Sequence, residues 1–88
     1  MTDVIEIKSR IKRVIANITN VPAEDIADDA SFTKDLDLDS LSLLEIGVDV
    51  DYEFQLGLPE DAMRGLDSVS QTTDLVVQHL REREEQVA

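Results

Sequence analysis

The sequence predicts an all-α fold, a small four-helix bundle of three longer helices plus a short third helix. Three observations carry that expectation. Apolar residues recur at helical spacing in separate stretches, capping and breaking residues punctuate those stretches, and no run shows the period-two alternation of a strand. At 88 residues the chain is long enough for one domain with one core. That domain is expected to span 1–88, with 84–88 a frayed charged end.

The first helix is expected from about Asp3 to Ile18. Val4, Ile7, Ile11, Val14, Ile15 and Ile18 fall on one side and leave Lys8, Arg10, Lys12 and Arg13 outside. It ends at "TNVP", where an asparagine can cap and Pro22 biases Val21 away from helix. Residues 20–39 form a long loop between helices 1 and 2, with Ile26, Phe32 and Leu36 as anchors to the core. A loop of that length in a small domain points to function. The second helix should begin near Ser40 and run to Phe54 or Gln55, closed by Gly57 and Pro59. A short third helix over about Glu60–Leu66 and a turn at "GLDSVSQ" follow. The last helix should cover about Thr72 to Arg83, with Leu75, Val76 and Leu80 facing in. There is no internal repeat.

Composition narrows the function classes. The net charge is −12, from 20 acids against 8 bases. That argues against nucleic acid or an anionic membrane as partner and favours proteins with basic surfaces. The charge is also segregated. Nine acids lie from Asp35 to Asp61 (Asp35, Asp37, Asp39, Glu45, Asp49, Asp51, Glu53, Glu60, Asp61) with no lysine or arginine among them. There is no cysteine, so nothing suggests an oxidising compartment. No apolar run approaches the ~18 residues of a membrane span. The opening "MTDVIEIKSR" mixes charges where a signal peptide would be apolar. A soluble, cytoplasmic monomer is expected, in which the Asn17-Ile18-Thr19 glycosylation pattern carries no weight.

The second helix holds two apolar stripes. Leu43, Ile46, Gly47, Val50 and Phe54 make a core face at helical spacing. Leu41, Leu44, Val48 and Tyr52 repeat that spacing on a different side, interleaved with Glu45, Asp49 and Asp51. One small bundle rarely needs both. The plain alternative is that the second stripe packs under the long loop, as Leu41 could. For Leu44 and Val48, beside the acids, the favoured reading is an exposed docking strip of Leu44, Glu45 and Val48, an apolar centre with a charged rim, with Asp39 and Asp51 at its edges. Ser40 stands at the top of that side.

What Ser40 does is less obvious. Spacing alone favours a helix cap, since Asp39 and Ser40 are both cap residues and Ser42-Leu43-Leu44-Glu45 fits a capping box. A calcium loop fails: Asp35-x-Asp37-x-Asp39 copies its first three ligands, but its sixth position is Ser40 where glycine is required. Its twelfth is Ile46 where the bidentate glutamate belongs. A serine hydrolase fails too, because the single histidine, His79, lies on the predicted last helix and nothing else supplies a base. His79 reads as a surface or boundary residue. No metal and no catalytic residue is expected.

At "DLDLDSLSLLE" the chain resembles the acyl carrier proteins. The Asp39-Ser40-Leu41 triplet is preceded by "ASFTKDL" and followed by an acidic helix ending in Tyr52-Glu53-Phe54. "VPAEDIADDASFTKDL" is similar to the family's loop, Leu58-Pro59 to its entry to helix three, and "TTDLVVQHL" to its final helix. The resemblance covers nearly the whole chain. Asp37 stands where many members have glycine, Gly47 where a larger apolar residue is usual, and Tyr52 where acid is common. The segment between Leu66 and Thr72 is about two residues longer than in typical fatty-acid carriers.

The resemblance implies a non-enzymatic carrier. Ser40, flanked by Asp39 and Leu41, would hold a covalent 4′-phosphopantetheine arm whose thiol carries acyl groups as thioesters. A phosphopantetheinyl transferase would install the arm from coenzyme A. Partner enzymes that transfer or condense acyl groups would dock through basic patches, and the stripe of Ile46, Gly47 and Val50 would line an acyl cavity. A phosphodiester at a helix N-terminus is physically favoured, and a chain without cysteine needs a borrowed thiol. Fatty-acid, polyketide and related lipid synthesis stay open. So do an aminoacyl or peptidyl carrier with the same arm, and an unmodified acidic helical interaction module.

Overall fold

The computed structural model describes residues 3–58 and 65–87, except for the side chains of 84–87. Within them the chain forms α1 (Val4–Thr19), a single 3₁₀ turn (Ala23–Asp25), α2 (Ser40–Phe54) and α3 (Val69–Val87). The described residues include no strand. The short helix expected over Glu60–Leu66 and the breaker Pro59 lie almost wholly outside the described residues.

α1 starts where Asp3 accepts the amide N–H groups of Ile5 and Glu6, and it stops at Asn20, which is left-handed at φ 64°. Its buried stripe is Ile7, Ile11 and Ile15, with Val14 and Ile18 packed at the margin. Val4 was expected on that stripe. It sits in the first turn, beyond the end of the core, and is exposed. α1 is the central element, packing against both α2 and α3. Its bases reach outward to acids elsewhere: Lys8 and Lys12 both bind Asp28, at 3.0 and 2.6 Å, and Arg10 binds Glu53 at 2.9 Å. Arg10 also lies over the Phe54 ring, 4.6 Å from its centre. The Lys12 and Lys8 ammonium groups hold the Asp28 carboxyl below its ordinary range.

The long loop is anchored as expected: Ile26 and Phe32 are about 1 % exposed, and Leu36 packs against the core. α2 ends differently from the expectation. Gln55, at φ 52°, makes the left-handed closure, with its amide N–H on the Asp51 and Tyr52 carbonyls. Gly57, at φ 68°, belongs to the next turn.

α3 begins three residues before the expected Thr72. Ser68 Oγ accepts the Gln71 amide N–H at 3.2 Å, while Gln71 Oε1 accepts the Asp67 amide N–H at 2.7 Å. This serine–glutamine exchange starts the helix and buries Val69 completely. Val76 and Val77 then face inward with Leu80 beside them. Leu75, expected inward, lies about 100° round the helix from Val76 and is half-buried. The charged end is helical through Val87 where fraying was expected. Its glutamates, arginines and glutamine are good helix formers.

Candidate functional site at the head of the second helix

Asp39 and Ser40 divide the work at the start of α2. Asp39 is the N-cap, in extended backbone at φ −87° and ψ 177°, and its Oδ1 accepts the Ser42 amide N–H at 2.8 Å. That bond, first among the causes, lowers the Asp39 carboxyl below its ordinary range. Ser40 is therefore the first helical residue and is exposed; its hydroxyl makes no hydrogen bond to any described residue. The capping role that spacing offered to Ser40 is filled by its neighbour. The Ser42–Glu45 box is not used either, because the Ser42 amide already belongs to Asp39.

The turn before the cap depends on Asp37, which is left-handed at φ 55°. The position where many carriers have glycine thus keeps the conformation glycine favours, at the cost of holding a side chain there. Asp35 Oδ2 accepts the Ser31 amide N–H at 2.7 Å. Two of the three aspartates that mimic a calcium loop thus turn a carboxylate oxygen to a backbone amide.

The two stripes of α2 separate cleanly. Ile46, Gly47, Val50 and Phe54 are buried and Leu43 packs against them. Leu41, Leu44, Val48 and Tyr52 are 62, 44, 57 and 83 % exposed. Glu45 and Asp49 are exposed beside them. Leu41 does not tuck under the loop. Asp51 is less available than its position in the sequence suggested: it is half-buried and its Oδ1 accepts the Gly57 amide N–H at 2.8 Å. Of the described acids in the Asp35–Asp61 run, only Glu53 forms an ion pair with a described base.

Behind α2 lies a narrow cleft of about 10 Å³, lined by Phe32, Leu43, Ile46, Gly47, Leu66 and Thr72. That is space for about one water molecule. Ile46 and Gly47 line it. Val50 does not: one turn further on, it is fully buried in the core. Spacing on α2 could not reveal Phe32, Leu66 and Thr72, which come from the loop and the start of α3. The burial of a lone aromatic in the loop was the one available hint. His79 is half-buried on α3.

Residues 9–76 match the protein family described as phosphopantetheine attachment site. The chain is 32 % identical over 71 residues to the acyl carrier protein of Acidothermus cellulolyticus, covering 81 % of this chain and 84 % of that protein. It is 34 % identical over 71 residues to the acyl carrier protein of Thermobifida fusca, covering 81 % of this chain and 90 % of that one. No helix among the described residues is long and apolar enough to cross a membrane. With its helical architecture and these matches, this chain belongs to the phosphopantetheine attachment-site family of acyl carrier proteins, which carry groups for enzymes and are not themselves catalysts.

Proposed function

We propose that Ser40 is the residue that carries 4′-phosphopantetheine and that the chain presents acyl thioesters on that arm to biosynthetic enzymes in the cytoplasm. One observation carries the assignment: Asp39 caps α2, and Ser40 is exposed at the helix head with its hydroxyl bonded to no described residue. In the transfer, Ser40 Oγ attacks the phosphorus that bears the pantetheine of coenzyme A. The new phosphodiester forms as the bond to adenosine bisphosphate breaks, and the serine proton passes to a base of the transferase. The product places a negative phosphodiester at the positive end of α2, beside amides with no helical partner.

The arm supplies the thiol that this chain lacks. Leu44, Glu45 and Val48 form the docking strip for the transferase and for acyl-transferring or condensing enzymes with basic patches. Asp39 bounds the strip, and Asp51 is a weaker edge because of its bond to Gly57. The pathway, whether fatty-acid, polyketide or related lipid synthesis, follows from which acyl groups and partners the arm accepts.

The test is intact mass after incubating the apo protein with coenzyme A, magnesium and a broad-specificity transferase. One phosphopantetheinyl addition is expected in the wild type and none in Ser40→Ala. An addition that survives Ser40→Ala, or none in the wild type, refutes the assignment. Loading with acyl against aminoacyl donors separates this reading from a peptidyl carrier.

A further inference from the structure

One side chain fastens the long loop to the start of α3. Asp67 accepts hydrogen bonds from Ser31 Oγ, from the Thr33 amide N–H at 3.1 Å and from Thr33 Oγ1 at 3.0 Å. Its own carbonyl accepts the Phe32 amide N–H at 2.7 Å. The Ser31 hydroxyl, first among the causes, and the Thr33 amide lower the Asp67 carboxyl below its ordinary range. A second tie runs alongside, from the Ser70 amide N–H to the Asp28 carbonyl at 2.9 Å.

The position of this network matters more than its strength. Phe32 lies between the two residues whose side chains grip Asp67, and its side chain forms one wall of the cleft behind α2. Leu66, adjacent to Asp67, forms another, and Thr72 a third. The opposite walls are Leu43, Ile46 and Gly47 of α2. Phe32 and Leu66 sit on two segments that Asp67 joins, so a backbone shift that parts those segments must break the Asp67 bonds. A chain of methylenes entering the cleft must displace these walls, because the space present holds no more than a water molecule.

We propose that Asp67 keeps the cleft shut against cargo: by tying the segment that carries Phe32 to the segment that carries Leu66, it leaves medium and long acyl chains exposed on the surface. This rests on the attachment reading at Ser40. Asp67 is a positioning residue and touches no reacting atom.

The experiment uses wild type, Asp67→Ala, and the double variant Ser31→Ala with Thr33→Val, which breaks the same network from its other side. Each is loaded from acyl-coenzyme A donors of increasing length by the transferase, confirmed by intact mass, and its thioester cleavage by hydroxylamine is timed. A protein that takes no arm fails at the mass step, so failure of the attachment reading is distinguished before any rate is read. Wild-type cleavage should be the same for medium and long chains. In both latch variants it should slow with length, by about threefold once roughly two-thirds of the chains are sheltered. A general loss of stability would not produce that length profile. Length-dependent protection in the wild type equal to that in the variants overturns the proposal, as does a flat profile in all three. If neither variant folds, the network is structural and the proposal also fails.

Discussion

Truncating Leu44 and Ile46, two residues apart on α2, should give opposite results in two assays. Ile46 is 3 % exposed and Leu44 is 44 % exposed. Complete burial of a leucine side chain contributes about 1.5–3 kcal/mol, and Leu44 is only about half covered. Leu44→Ala should therefore lower the unfolding free energy by about 1 kcal/mol or less, since alanine keeps the β-carbon. Ile46→Ala removes buried methyl groups and leaves a cavity, so it should cost about 2–5 kcal/mol. Urea unfolding of the two variants measures both. In the transferase assay the order reverses. A partner that covers the exposed half of Leu44 gains about 1 kcal/mol, so Leu44→Ala should lower kcat/KM roughly fivefold with little salt dependence. Ile46→Ala, assayed where it is folded, should keep near wild-type kcat/KM. Glu45→Lys should also lower kcat/KM, but mainly at low salt, because an exposed pair is worth about 0.2–1 kcal/mol and is screened. A loss of about 2 kcal/mol or more for Leu44→Ala would place that residue in the interior and refute the docking strip.

Asp37→Gly should raise stability by up to about 1 kcal/mol, because a side chain leaves a left-handed position; a fall in urea midpoint would mean the Asp37 carboxylate holds the turn. Thr73 is 1 % exposed and its hydroxyl has no hydrogen-bond partner among the described residues, so Thr73→Val should stabilise by about 1 kcal/mol. An unchanged or lower melting temperature would show that the hydroxyl is satisfied. Asp28, Asp39 and Asp67 all have lowered carboxyl values in the fold. A lowered folded value stabilises above the unfolded value, so this contribution is complete above about pH 4 and is lost as pH falls further. Urea midpoints should drop between pH 4.5 and 3, and the drop should shrink in Asp28→Asn with Asp67→Asn; an equal drop in the double variant refutes the attribution.

Much of this was legible because helices announce themselves locally. The bounds of α2 follow from an aspartate–serine pair ahead of two apolar stripes, and the stripes themselves separated interior from surface. The start of α3 was also written in the chain, as Ser68-Val69-Ser70-Gln71, but its serines and the preceding glycine read equally well as a turn. Val69 was lost to the core by that misreading. The latch left no such trace. Ser31 and Thr33 lie more than thirty positions from Asp67, each is an ordinary turn residue, and only the tertiary fold brings them together. The cleft was half legible for the same reason: its α2 wall follows from periodicity, while Phe32, Leu66 and Thr72 arrive from elsewhere in the chain.

The ends of α2 are held unequally. At its C-terminal end, Arg10 of α1 donates to the Glu53 carbonyl at 3.2 Å and Arg83 of α3 donates to the Gln55 carbonyl. Two helices thus place cations where the dipole of α2 is negative. At the Ser40 end the only capping side chain among the described residues is Asp39, a neighbour in sequence. A rod fixed at one end pivots there. With 15 residues, α2 is a lever of about 22 Å, so a 10° swing about Phe54 carries Ser40 through about 4 Å. Whatever hangs from Ser40 would move over such an arc only as far as the packing of buried Ile46 and Val50 allows. Spin-label distances from Leu41 to α1 should accordingly spread more widely than those from Gln55 to α1; equal spreads would show that α2 does not pivot.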